Sequence, residues 1–176
     1  GGRCTFTTTQ IYSVKSESEQ RLEVQTRSEE QFIHLLKELE TVGAKEDLNT
    51  IRENEITLKQ VRREGNLVIP FTRLEDIREQ LKKYVADEKY AHAVLEARLY
   101  TNKLAQAEGI VFYDVPGSDS GLAKHVDEAQ QMLSDCDAVI VIQRFRSIRE
   151  AELEIIKFTE QGDKNVTIAD KLFVFF

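Results

Sequence analysis

The feature that most constrains this chain is the spacing of three short apolar runs in its second half. Ile110-Val-Phe-Tyr-Asp-Val115, Ala138-Val-Ile-Val-Ile142 and Leu172-Phe-Val-Phe-Phe176 are too short for helices and carry no alternation. Each reads as a strand buried on both faces. Between the first two runs, Leu122, Val126, Ala129, Leu133 and Cys136 recur at helical spacing. Between the last two, Ser147 with Glu150 makes a capping box, opening a helix that Gly162 closes. Strand–helix–strand–helix–strand with short apolar strands demands a mostly parallel sheet flanked by helices on both faces, an α/β fold. Ligands of such sheets sit at the carboxyl ends of strands.

The first half supplies further elements. Thr5 to Val14 and Arg21 to Thr26 read as strands, and the polar turn Lys15 to Glu19 predicts that they form a hairpin. Ser28 with Gln31 is a capping box, after which Phe32, Leu35, Leu36, Leu39 and Val42 follow helical spacing up to Gly43. Ten charged residues crowd positions 45–64 around a thin apolar stripe, which predicts a solvated, charged helical insertion at about 44–66. Leu67 to Pro70 is a short apolar piece. Thr72 with Glu75 predicts another capped helix carrying Leu74, Ile77, Leu81 and Val85. Ala93 to Thr101 suits helix and strand alike.

Composition removes whole classes of function. A length of 176 residues is about one domain, with room for a core that needs no staple. The net charge of −7 argues against nucleic acid as a partner. Two cysteines, Cys4 and Cys136, make neither a zinc site nor a disulfide framework, and reduced thiols point to a cytoplasmic protein. No apolar run approaches the ~20 residues of a membrane-spanning helix. His34, His92 and His125 have no ligand spacing.

One strand end carries chemistry. Asp114-Val115-Pro116-Gly117 follows the run that starts at Ile110. A carboxylate there can hold Mg²⁺ through water. A glycine three residues on can bring its N–H close to an anion with no side chain in the way. Together they suit the sensing of a terminal phosphate, though a D-x-x-G tetrapeptide also makes an ordinary turn.

The stretch from Ile110 to Leu122 resembles the DxPG box of dynamin-like large GTPases, and Asp135 to Ile142 resembles the strand that follows it there. Gly2-Arg3-Cys4-Thr5 is similar to that family's first switch. Ala169 to Phe176 is similar to the strand that delivers its guanine-reading box. The resemblance spans nearly the whole chain, and residues 43–66 match nothing in the family. It implies a partial P-loop-type GTPase domain over residues 1–176, cut from a longer protein. Its first strand, phosphate loop and base-reading loop would be missing. It implies that Thr5 contacts Mg²⁺ and positions the attacking water, that Asp114 reaches Mg²⁺ through water, that Pro116 stiffens the turn, and that Gly117 meets the γ-phosphate. GTP and Mg²⁺ are the implied ligands, and self-assembly into a homo-oligomer is implied for the full-length protein. Membrane contact would come only from regions outside this chain. For Ala93 to Thr101 the resemblance favours a strand, paired antiparallel with Ile110 to Val115 across the loop Asn102 to Gly109.

The sequence contains no G-x-x-x-x-G-K-[ST] and no base-reading N/T-K-x-D. The chain by itself is therefore expected to bind GTP poorly or not at all. Three alternatives stand beside this reading. One is a GTPase of a guanylate-binding or immunity-related branch. Another is a degenerate, nucleotide-free interaction module. The third is an unrelated α/β domain in which the Asp114 turn is structural.

Overall fold

The computed structural model describes residues 7–114, 136–142 and 171–175. The chain divides into two compact units, Gly1–Ser120 and Gly121–Phe176.

The first unit is built on a five-stranded sheet. Its strands are β1 (Thr9–Ser13), β2 (Arg21–Thr26), β3 (Leu67–Pro70), β4 (Val94–Thr101) and β5 (Val111–Asp114), in the spatial order β3-β2-β4-β1-β5. The helices are α1 (Glu29–Thr41), α2 (Lys45–Glu53), α3 (Glu55–Glu64), α4 (Arg78–Leu81) and α5 (Glu88–Ala91). In the second unit β6 (Val139–Ile142) pairs in parallel with β7 (Leu172–Phe175).

The fold is α/β, but the main sheet is mixed rather than mostly parallel. Only β1 and β4 run parallel, while β2–β3, β2–β4 and β1–β5 are antiparallel. The alternation of buried and half-buried residues along β2 explains this, because an antiparallel sheet can leave one face wet. Leu22 and Val24 of β2, with Ala97 and Leu99 of β4, turn to a single core. Phe32, Leu35 and Leu39 of α1, Ile51 of α2 and Leu58 and Val61 of α3 fill it from the other side. On the opposite face, by register, stand Val68, Pro70 and Val111. It also holds Gln10, Tyr12, Arg21, Glu23 and Tyr100. Tyr12 and Tyr100 stack at 5.0 Å, and the Arg21 guanidinium lies 3.8 Å over the Tyr100 ring. The described helices α1, α2 and α3 pack on the core face of this sheet.

Two expected pairings are corrected. β1 and β2 do not form a hairpin, because β4 lies between them and pairs with both. The Lys15–Glu19 stretch instead crosses over β4 as a capped turn, with the Ser16 N–H donating to Glu19 Oε2 at 2.9 Å. The ambiguous segment Ala93 to Thr101 is strand over Val94–Thr101, as the resemblance favours. It does not pair with β5, though, because both of its edges are taken. A 3-10 turn at Asn102–Ala107 carries the chain past β1, and β5 pairs there.

The expected elements otherwise form, with adjusted edges. The Ser28 capping box is present. Ser28 Oγ accepts from the Gln31 N–H at 3.2 Å, and the Ser28 N–H donates to the Gln31 side chain at 2.8 Å. The charged stretch is the pair α2 and α3, and its thin stripe is not solvated: Ile51, Leu58 and Val61 are core residues. The box expected at Thr72 and Glu75 forms one residue later, where the Arg73 N–H donates to Asp76 Oδ2 at 3.0 Å. From there 3-10, α and π-helical turns follow one another over Leu74–Ile77, Arg78–Leu81 and Lys82–Ala86. The helices expected at 122–136 and 147–162 lie almost wholly outside the described residues. Cys136 itself is described, and it precedes β6 outside any helix or strand.

Candidate functional site

The site is built where β1 begins and β5 ends. In the antiparallel pair, Thr9 stands opposite Asp114, Gln10 opposite Tyr113 and Ile11 opposite Phe112. Thr7 and Thr8, which lead into β1, and Asp114, which ends β5, therefore lie at the same end of one strand pair. β4 starts at the same end, with Ala97 in register with Thr9.

β5 is not the fully buried strand that its composition predicts. It lies at the sheet edge, and Ile110 and Tyr113 are 53% and 47% exposed. Asp114 is exposed, so its carboxylate faces little desolvation. On the β1 side the chain is held firmly. Thr7 and Thr9 are buried. The Thr7 N–H donates to the Val85 carbonyl at 3.3 Å, and the Ala97 N–H donates to the Thr8 carbonyl at 3.4 Å. Thr9 Oγ1 donates to the Thr7 carbonyl at 3.5 Å.

Of the residues singled out in the sequence, Asp114 is placed at the carboxyl end of β5. Thr5, Pro116 and Gly117 lie outside the described residues. Among the described residues no three His, Cys, Asp or Glu side chains converge as a metal site. A single exposed carboxylate at a strand end nevertheless fits Mg²⁺. That ion binds through one or two carboxylates and substrate phosphates and keeps several waters.

Two polar clusters escaped the sequence reading. Asp47 of α2 and His92, just beyond α5, are both buried, with Oδ1 and Nε2 3.0 Å apart. Their separation of 45 residues leaves no local signal. Gln20 is buried between β2, β3 and β4. Its Nε2 donates to the Thr72 carbonyl at 2.8 Å, and its Oε1 accepts from Thr101 Oγ1 at 3.3 Å and from the Asn102 N–H at 3.2 Å. His92 Nδ1, on the other side of the ring, is buried without a hydrogen-bond partner. In the second unit burial pushes the Cys136 thiol up, partly opposed by Lys171, so a nucleophilic thiolate is disfavoured. No helix among the described residues is long and apolar enough to cross a membrane.

No family model matches the sequence, and no curated protein matches it. One similar solved structure is described as an oligomerised bacterial dynamin pair that provides a mechanism for the long-range sensing and tethering of membranes. The chains are 12% identical, with a TM-score of 0.45, over 96% of this chain and 33% of that one. This chain thus spans about a third of the length of that neighbour, and so distant a likeness carries no argument about its function.

Proposed function

We propose that this chain is part of a dynamin-type GTPase domain, contributing the first switch and the DxPG box to GTP hydrolysis in the full-length protein. The observation that carries the reading is the register of Thr9 opposite Asp114. Thr9 follows Thr5 by four residues and Asp114 precedes Gly117 by three, so this register supports a single phosphate-sensing site.

The division of labour follows from the residue chemistry. Asp114 is the carboxylate that would hold Mg²⁺ through a bound water. Thr5 orients the attacking water through its hydroxyl and carbonyl. The Gly117 N–H contacts the γ-phosphate, and Pro116 limits the freedom of that turn. Mg²⁺, when bound with the nucleotide, neutralises phosphate charge. Water attacks the γ-phosphorus in line as the bond from that phosphorus to the β–γ bridging oxygen breaks, giving GDP and inorganic phosphate, and catalysis is mostly positioning and charge stabilisation. Loss of the γ-phosphate releases both segments, and this order–disorder change is the switch. The phosphate loop and base-reading box would come from elsewhere in the full-length protein. A cytoplasmic location, self-association and membrane contact made outside this chain belong to the same proposal and rest on the sequence resemblance.

The test is GTP turnover by the full-length protein. Thr5→Ala and Asp114→Ala each lower kcat about a hundredfold and leave the thermal midpoint within a few degrees. Full turnover in either variant removes the assigned role. A full-length protein that neither binds nor hydrolyses GTP makes the chain an interaction module instead.

A further inference from the structure

Among the described residues the main sheet ends on one side at β3, which pairs with β2 alone. A sheet edge is a template on which another chain can pair. Which backbone groups β3 turns outward follows from its ladder. The Phe71 N–H donates to the Gln20 carbonyl at 3.3 Å, and Ile69 and Leu67 stand opposite Leu22 and Val24. In an antiparallel ladder the backbone groups of successive residues turn to alternate sides. Leu67, Ile69 and Phe71 therefore face β2 with their N–H and C=O groups, and Val68 and Pro70 face away from it.

Leu67-Val68-Ile69 is a run that favours strand pairing. Val68 is 63% exposed, and its N–H is the donor that an incoming strand would meet. Two residues on, where the next outward donor is due, stands Pro70, which is exposed and has no N–H. Within the sheet this proline costs nothing, because the missing donor would not have faced β2. At the other end of β3, Asn66 Oδ1 accepts the Thr26 N–H at 3.2 Å and ties the start of β3 to the end of β2.

We infer that Pro70 closes the β3 edge to strand addition, so that a second copy of this chain cannot extend the main sheet there. A second copy is the partner to be excluded because its own β3 matches the edge. An antiparallel pairing centred on Val68 sets position 70 of one copy opposite position 66 of the other, and by the twofold symmetry the proline removes a donor twice. The inference does not rest on the GTPase reading.

Pro70→Thr restores the outward N–H at an exposed position with a residue that favours strands. In the full-length protein it is expected to bring self-association to an about tenfold lower concentration in sedimentation velocity. Hydrogen exchange at the Val68 amide slows as the association proceeds. Adding Val68→Lys, a charge on the edge, returns association to that of the parent, and association that persists in this double variant overturns the inference. Unchanged association in Pro70→Thr overturns it as well, since the proline is then merely tolerated at its place. So does stronger association with the Val68 amide exchanging as fast as before, because the new contact then lies elsewhere. Should Pro70→Thr misfold, Pro70→Ala restores the same N–H and is read in the same way.

Discussion

Single polar side chains hold together elements far apart in the sequence. Gln20 joins the start of β2 to the ends of β3 and β4 through the Thr72 carbonyl, Thr101 and Asn102. Gln20→Ala strands these partners in a buried place and should cost about 3 kcal/mol in chemical denaturation. Gln20→Glu should fare no better, because a carboxylate cannot donate to the Thr72 carbonyl. The Asp47–His92 pair obeys the same logic across α2 and the approach to β4. Removing either partner leaves the other buried and unpaired. Asp47→Ala and His92→Ala should each lose about 3 kcal/mol, and the double variant should lose clearly less than their sum. An additive result would show that the 3.0 Å contact contributes nothing.

At the scale of elements, local sequence signals and backbone geometry agree where caps are concerned. α1 starts at the Ser28 box and ends in a Schellman motif. There the Ala44 N–H donates to the Leu39 carbonyl at 2.9 Å and the Gly43 N–H to the Glu40 carbonyl at 3.2 Å. Gly43 has φ +69, and a Cβ built on it would meet nothing within 4 Å. Gly43→Ala is thus a purely conformational change, expected to cost about 1 kcal/mol. Gly65, after α3, has φ +73 with ψ −156, a region essentially closed to side chains. Gly65→Ala should cost more than Gly43→Ala, up to about 3 kcal/mol. Equal midpoints in a denaturant titration would refute this ordering. The helical stretch after β3 shows where local reading stops. Its apolar spacing is plain, but the change from 3-10 to α to π turns satisfies packing on the sheet, which no propensity encodes.

At the scale of the molecule, two exposed carboxylates tie the joins between elements to pH. Ser16 holds Glu19 below its ordinary value near 4.5 through hydrogen bonds from its side chain and N–H. Arg73 holds Asp76 below its ordinary value near 3.8, again first through its side chain and then its N–H. Each folded value is depressed, so the stability each contributes is full above the unfolded value. It is lost as pH falls through the folded one. Stability should therefore decline from about pH 4.5 downward, and Glu19→Gln with Asp76→Asn should flatten that decline. Denaturant midpoints at pH 6 and pH 3 decide it, and an unchanged slope in the double variant would remove these two groups from the account.

The sequence by itself determined roughly where most of the described elements lie, and of which type most of them are. Capping boxes, apolar spacing and glycine stops act within a few residues, so Ser28, Gly43 and the apolar runs of β5, β6 and β7 are legible in one dimension. It also carried the resemblance that singled out Thr5, Asp114, Pro116 and Gly117. Only the tertiary structure decided that β4 lies between β1 and β2, that β5 pairs with β1 at an edge, and that the sheet is mixed. Strand partners are chosen by which edges remain open and which faces are buried, and those are properties of the assembled sheet. The meeting of Thr9 with Asp114, the seat of Thr7 on Val85 and the Asp47–His92 pair all join distant residues. Each depends on that pairing, which no local pattern records.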